Sequence, residues 1–353
     1  MMAAIKKDEF ESGRESALRI LNGWKVLIPI FIGLGIILCL MWRDKNFSVN
    51  NFALVKNIKL SYVFFAILTF VGRNFFYTLR IRLLSNGDIP WRRCLVIMLL
   101  WEFLSCITPS VVGGGVVAVF LFMAEGIPFG RAMAYVMATT TLDNYFFLLN
   151  GPLGIETLMQ NYPKIMWALF ISCYCIVLVY ASIMTCALYF RPRMIKWVLC
   201  KITNISILKR FRSKAEQQGN EMIAASKILV KKGFSFWLLV IFVTLLAWYC
   251  RYIVLNFLIA SLMKCSFIDH LYIFRNHLIM WVSMLLSPTP GGAGFVELIF
   301  TVNYTSLLTQ YTPVVMFLWR ILTFYVYIFC GTIIIPFWVK NLKKRKAELT
   351  KKQ

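Results

Sequence analysis

Apolar runs long enough to cross a bilayer follow one another along this chain, at about 24–42, 60–79, 132–149, 165–190, 234–263 and 314–339. A membrane helix needs roughly 20 mostly apolar residues. The only long hydrophilic interruption is 191–233. Composition excludes the alternatives. Hydrophobic residues are 60% of the chain and charged ones 15%, too few charges to coat a soluble enzyme and far too apolar for disorder. No short apolar core with a small-residue cleavage site opens the chain, so 24–42 reads as an uncleaved anchor. The expected fold is an all-α polytopic membrane protein. A cytoplasmic segment (1–23) precedes a transmembrane domain (24–340), whose halves are joined by the basic loop 191–233, and a basic tail (341–353) follows.

Four further apolar runs are too short to cross, and they come in pairs around a break. Residues 94–108 and 116–124 flank Thr108-Pro109-Ser110-Val111-Val112-Gly113-Gly114-Gly115. Residues 271–286 and 295–308 flank Ser287-Pro288-Thr289-Pro290-Gly291-Gly292-Ala293-Gly294. Proline removes a backbone donor and glycine loosens the helix. Unpaired backbone cannot face lipid, so each break is buried in protein or lines a wet cavity. Short arms around such a break predict two re-entrant hairpins beside about six full spans. A kinked span with an interfacial helix is the alternative.

The charge is +23, from 38 Lys and Arg against 15 Asp and Glu. In a soluble chain that would suggest nucleic acid; here its location matters more. With a cytoplasmic N-terminus and two hairpins, 28 basic residues fall on inner segments, six on outer loops and four within or beside apolar runs. This bias orients both termini inward. The first hairpin then enters from the cytoplasm and the second from outside. That is an inverted repeat with interrupted segments in matching positions, an arrangement that places a substrate site near the midplane of transporters. Part of 207–232 is expected either as an amphipathic helix on the anionic inner leaflet or as a solvated linker.

Ionisable residues at membrane depth are costly and are functional candidates by default. They are Glu102, Asp143, Arg251, Arg275, Glu297 and Arg320; structural ion pairing is the plainer reading. Arg73 and Glu125 sit near span ends, where snorkelling suffices. A half-helix starting after Gly115 or Gly294 would leave backbone N–H groups free to attract an anion such as phosphate. Interior arginines would add bidentate geometry. Glycines that only allow close helix packing are the alternative.

Other chemistry is not signalled. Ten cysteines form no CxxC pair, and His270 and His277 have no third ligand, so no metal is expected. No Walker A, dinucleotide or GxSxG motif occurs, and no cofactor or catalytic residue is assigned.

The run Ser287-Pro288-Thr289-Pro290-Gly291-Gly292-Ala293-Gly294-Phe295-Val296-Glu297, with Arg320 in the next span, resembles the second signature of the lysylphosphatidylglycerol synthase transmembrane (flippase-like) family. Thr108-Pro109-Ser110 with Gly113-Gly114, then Gly126-Ile127-Pro128, Arg131-Ala132 and Asp143, resembles its first signature in outline. The resemblance covers about 20–340. Family members usually carry an acid directly after the paired glycines and a base three positions later, where this chain has Gly115 and Ala118. A Glu-Arg pair usually precedes the aspartate, where this chain has Thr139-Thr140. Glu102 is the candidate to replace the lost acid. The resemblance implies a domain that moves polar lipids between leaflets. With no soluble stretch longer than 191–233, the lysine-transferring domain of the best-known members is not expected.

The expected function is therefore an inner-membrane lipid flippase or transporter. Its site would comprise Thr108, Pro109, Gly113, Gly114, Asp143, Arg251, Arg275, Thr289, Pro290, Gly291, Gly292, Gly294, Glu297 and Arg320. An anionic or amino-modified headgroup would enter between the hairpins, the arginines offsetting its phosphate and the acids holding the arginines or an amine. Membrane lipids are the expected partners and nucleic acid is not; a second copy or an envelope-synthesis complex stays open. The rival readings are a membrane-embedded transferase using Glu102, Asp143 or Glu297 as acid/base, and a non-catalytic subunit.

Overall fold

A computed structural model describes residues 58–108, 111–162, 164–203, 212–284 and 294–351, with Lys56, Ser287, Thr289, Gly291 and Gly292 in addition. The segment 1–23, the span expected at 24–42, Pro109, Pro290 and the last two residues of the tail lie outside these. Every regular element among the described residues is helical. In chain order they are α1 (Leu60–Leu84), α2 (Trp91–Ile107), α3 (Val111–Ala124), α4 (Phe129–Asn161), α5 (Lys164–Thr185), α6 (Arg193–Ile202), α7 (Arg212–Val230), α8 (Phe234–Ala260), α9 (Phe267–Met284), α10 (Phe295–Leu308), α11 (Thr312–Arg320) and α12 (Val326–Lys351). Single π-helical turns close α5 (Cys186–Phe190) and join α11 to α12 (Ile321–Tyr325).

Among the described residues four helical runs are long and apolar enough to cross a membrane: Leu60–Leu84, Trp167–Phe190, Phe234–Ala260 and Phe295–Leu342. The fourth is interrupted at Thr309, whose φ of 47° lies in the left-handed region and turns the chain between α10 and α11. The sides these helices present are inverted relative to a soluble protein. On α1, Phe64, Leu68, Val71 and Phe75 are exposed, whereas Arg73, Thr78 and Arg80 are buried. Water would reward the opposite arrangement; a hydrocarbon solvent accepts this one.

The span expected at 132–149 is part of a helix that continues to Asn161 with Pro152 inside it. The physical reason lies on the neighbouring helix. Pro152 has no N–H to give the carbonyl four residues earlier, that of Leu148. The Tyr174 hydroxyl on α5 donates to that oxygen at 2.7 Å. Gly151 makes room, since a Cβ there would stand 2.5 Å from the Tyr174 ring. Tyr174→Phe is expected to strand the Leu148 carbonyl and cost about 1–3 kcal/mol, read as a lower unfolding midpoint in detergent; an unchanged midpoint would refute the repair.

The described residues of the 191–233 stretch are largely helical. They form α6 and α7, and Met222, Ala225 and Leu229 on one face of α7 are buried in the main core. Ser226 is buried with them and donates to the Leu188 carbonyl. Gly130 lets α4 touch the α7 backbone, where a Cβ would meet Gln218 O and Met222 N at 2.6 Å.

Each Thr-Pro-glycine break falls between two short helices that pack on each other, α2 with α3 and α9 with α10. The long helices α1 and α8 pack along one another between these two pairs. One core joins α1–α4, α7, α8, α12 and Leu278 of α9; a second joins α8–α11 and Ala66 of α1; a smaller third joins α4, α5 and α9.

Candidate functional site

The site begins with a stripe on α1. Arg73, Tyr77 and Arg80 stand at i, i+4 and i+7, one helical face, and that face is turned inward. Arg73 is 1% exposed and its Nη2 donates to Glu102 Oε1 on α2 at 2.6 Å. Its Nη1 donates to the Tyr327 hydroxyl, which itself donates to Asn74 Oδ1 at 2.7 Å. Arg80, equally buried, reaches Asp143 on α4 through both terminal nitrogens, at 2.5 and 3.2 Å. Asp143 also accepts from the Trp248 indole on α8 at 2.7 Å. The Tyr77 ring carries both guanidinium groups, with Arg80 4.6 Å and Arg73 5.3 Å from its centroid. Such ring contacts partly replace lost hydration of a cation.

Two expectations change here. Arg73 is buried inside the bundle and neutralised by Glu102 rather than left reaching outward. Arg80 is not an inner-loop charge, because α1 runs on to Leu84 and carries it into the bundle. The signal was the Arg73–Tyr77–Arg80 spacing itself. Glu125 does remain near a helix end, paired with Arg93 at 3.5 Å and accepting from the Trp338 indole at 2.7 Å.

The second break is built from backbone that only glycine adopts readily. Gly291, Gly292 and Gly294 have φ of 59°, 70° and 81°, which L-residues with a Cβ avoid. Gly294 caps α10, and its N–H is taken by Glu297 Oε2 at 2.7 Å. The expected open anion site at this helix start is thus filled by the chain's own carboxylate. Val296 N–H is likewise engaged, by Gly292 O. The other Glu297 oxygen, Oε1, lies 2.8 Å from Arg320 Nε on α11, within ion-pair reach but not aligned as a hydrogen bond. Arg320 is buried, its Nη1 reaches Gly291 O at 3.5 Å, and its Nη2 has no hydrogen-bond partner among the described residues. The π-turn that starts at Ile321 brings the Phe324 ring 4.9 Å from the guanidinium; irregular turns of this kind recur at functional sites.

The first break is different. α3 starts at Val111, so Gly113, Gly114 and Gly115 lie inside its opening turns and no half-helix begins after Gly115. At Gly114 a Cβ would meet Ser105 Oγ at 2.5 Å, so this glycine allows α2 and α3 to pack closely.

The tips of the two helix pairs meet. A Cβ on Gly291 would stand 2.6 Å from the Cys106 carbonyl at the end of α2 and 2.3 Å from the Phe324 ring. Gly291→Ala is therefore expected to part the tips and to lower thermal stability by about 1–3 kcal/mol, with Gly115→Ala, where nothing lies within 4 Å, close to neutral; equal effects in both would refute the contact. Arg251 on α8 lies 3.8 Å from Glu102 and 5.1 Å from the Trp248 ring. Behind it stand Tyr252, His277 and Trp319, with ring centroids 4.3 Å apart for Tyr252–His277 and 5.6 Å for His277–Trp319. Tyr252 OH, His277 Nδ1 and Trp319 Nε1 are buried and have no hydrogen-bond partner among the described residues.

Of the residues expected at the site, Arg320 reaches both Glu297 and Gly291, and Cys106, next but one to Thr108, abuts Gly291. Arg251 joins Glu102 rather than Asp143. Arg275 stands apart, paired with the exposed Glu156 on α4 at 2.9 Å. Thr289 is tied to Ser287 within its own break. Tyr77, Arg73, Arg80, Tyr252 and His277 were missed. The arginines lay too near a run's end, and aromatic residues in apolar runs read as packing. No group of three or more potential metal ligands occurs among the described residues.

The profile of the family described as lysylphosphatidylglycerol synthase TM region matches residues 30–331, which spans both breaks and every ion pair above. The chain belongs to this family. A protein described as a UPF0104 membrane protein, from Archaeoglobus fulgidus, is 22% identical over 290 residues, covering 78% of this chain and 85% of the archaeal one. No solved structure matches. Family membership and the apolar exterior of α1, α5 and α8 agree: this is a membrane protein.

Proposed function

We propose that this member of the family is a flippase, moving an anionic or amino-modified lipid between leaflets of the cell's inner membrane. One observation carries the reading: a buried arginine, Arg320, faces the meeting point of two broken helices with a terminal nitrogen left over. A guanidinium at depth is costly unless it binds something. Its partner Glu297 is itself a bound anion, held by Arg320 and the Gly294 N–H. A headgroup phosphate presents the same oxygens and would exchange with that carboxylate, taking Arg320 while Glu297 stays on Gly294. Arg251, partly exposed and 3.8 Å from Glu102, supplies the second positive charge. Asp143 holds Arg80 and so supports the scaffold rather than the cargo.

The order of elements supports an inverted repeat. A long helix, a short one, a break, a second short one and a long helical segment occur in α1–α4 and again in α8–α12. With 24–42 as a further span and both termini cytoplasmic, the two breaks would enter from opposite sides, as the charge bias requires.

The test is reconstitution into vesicles with acyl-labelled phosphatidylglycerol and a membrane-impermeant quencher. Protein-dependent exchange is expected, lost in Arg320→Ala and retained in Arg275→Ala. No exchange of phosphatidylglycerol, lysylphosphatidylglycerol or polyprenyl-phosphate probes would sink the reading and leave a subunit or enzyme role.

A further inference from the structure

A second lipid site, away from the helix breaks, lies where α2 begins beside the last helix. A groove of about 700 Å³ runs between them, lined by Trp91, Arg92, Arg93, Ile333, Phe337 and Asn341 among others. That volume is in the range of sites that hold a ligand of lipid-headgroup size. Its two ends differ in chemistry. At one end Arg92 and Arg93 occupy the first turn of α2, where the helix dipole is already positive. Lys340 and Lys344 on α12 are exposed beside Asn341. Among the described residues the one carboxylate lining the groove is that of Glu125, engaged by Arg93 and Trp338. Arg92 is exposed and makes no hydrogen bond or ion pair with any described residue. The other end is apolar, walled by Val96, Ile333, Ile334 and Phe337. Ile333 and Phe337 are exposed on the outside of the bundle, so this end opens toward hydrocarbon. On α12, Trp338 falls between the apolar Ile333 and Ile334 and the polar Asn341, and Trp91 opens α2 beside the arginines, as suits indoles at a bilayer interface.

We propose that this groove binds an anionic phospholipid of the cytoplasmic leaflet, its phosphate on Arg92 and Arg93 and an acyl chain along Ile333 and Phe337. A soluble anion would have no use for the apolar wall, and a zwitterionic lipid would not favour two lining arginines with exposed lysines nearby on α12. The inner leaflet supplies the negative lipid. The proposal uses the orientation given above but not the flippase activity; the groove would serve as an anchor or as a point of entry for lipid.

Full-length protein in mixed vesicles is photolabelled with diazirine-bearing phosphatidylglycerol or phosphatidylcholine, and the labelled peptides are mapped. Labelling of 333–341 by phosphatidylglycerol is expected to exceed that by phosphatidylcholine. Arg92→Ala should cut that preference about fivefold, the effect of one basic residue at an anionic surface, while Arg92→Lys keeps it. Arg320→Ala should leave it unchanged while abolishing lipid exchange. Persistence of the preference in a protein with no exchange activity would uphold the groove and remove the flippase reading. Equal labelling by the two lipids, competition by inorganic phosphate, or absence of groove labelling because the chain's own N-terminal segment fills it would each overturn the proposal.

Discussion

Asp143→Asn is expected to destabilise the protein by about 3–5 kcal/mol, the usual result of leaving one member of a buried ion pair without the other. Arg80 is 1% exposed and gives both terminal nitrogens to Asp143. A guanidinium cannot shed its proton to escape, and α1 holds it too deep to reach water. The amide keeps an oxygen for the Trp248 indole, so the variant removes charge and little else. Arg80→Met with Asp143→Asn should recover most of the loss, because replacing both partners by groups of similar volume is often neutral. Unfolding in detergent, followed by fluorescence, reads both. A single variant within 1 kcal/mol of the parent, or a double variant no better than the single, would show that the pair does not hold α1 to α4.

The second large effect is on transport. Glu297→Gln leaves the Gly294 N–H with an acceptor but takes the charge from Arg320. A close ion pair near a protein surface interacts by a few kcal/mol, so exchange of phosphatidylglycerol is expected to fall by roughly ten- to a hundredfold. Arg320→Lys should fall similarly, since an ammonium lacks the fork that reaches Glu297 and Gly291 O together. Gly294 stays capped in Glu297→Gln, and unfolding midpoints measured on both variants separate loss of transport from loss of fold. If exchange survives in both, the carboxylate–guanidinium pair only fastens α10 to α11.

The role of each glycine break shows where reading residues stops. Both contain Thr-Pro and glycines, and both interrupt helices. Yet Gly291, Gly292 and Gly294 are needed for their φ angles, whereas Gly114 is needed for its missing side chain against Ser105. Residue type alone does not separate conformational freedom from close approach. Glu297 and Arg320 were both legible as candidates because one motif carries the acid and the following span the base, but that they face each other was not. Nor was the pairing of Arg80 with Asp143, since nothing in either segment names the other.

Composition and hydrophobic length determined that this is a membrane protein with several long apolar helices, and the Pro and Gly positions marked two breaks flanked by short ones. These follow from hydrophobic length and from the proline and glycine backbone, properties local to each segment. The bundle decided which charges meet, how α4 passes through Pro152, and that the tip of α2 touches Gly291. Each depends on a group supplied by another helix: a carboxylate on α2 or α4, the Tyr174 hydroxyl on α5, a carbonyl at Cys106. Periodicity tells which face of a helix is inward; only packing tells what stands opposite.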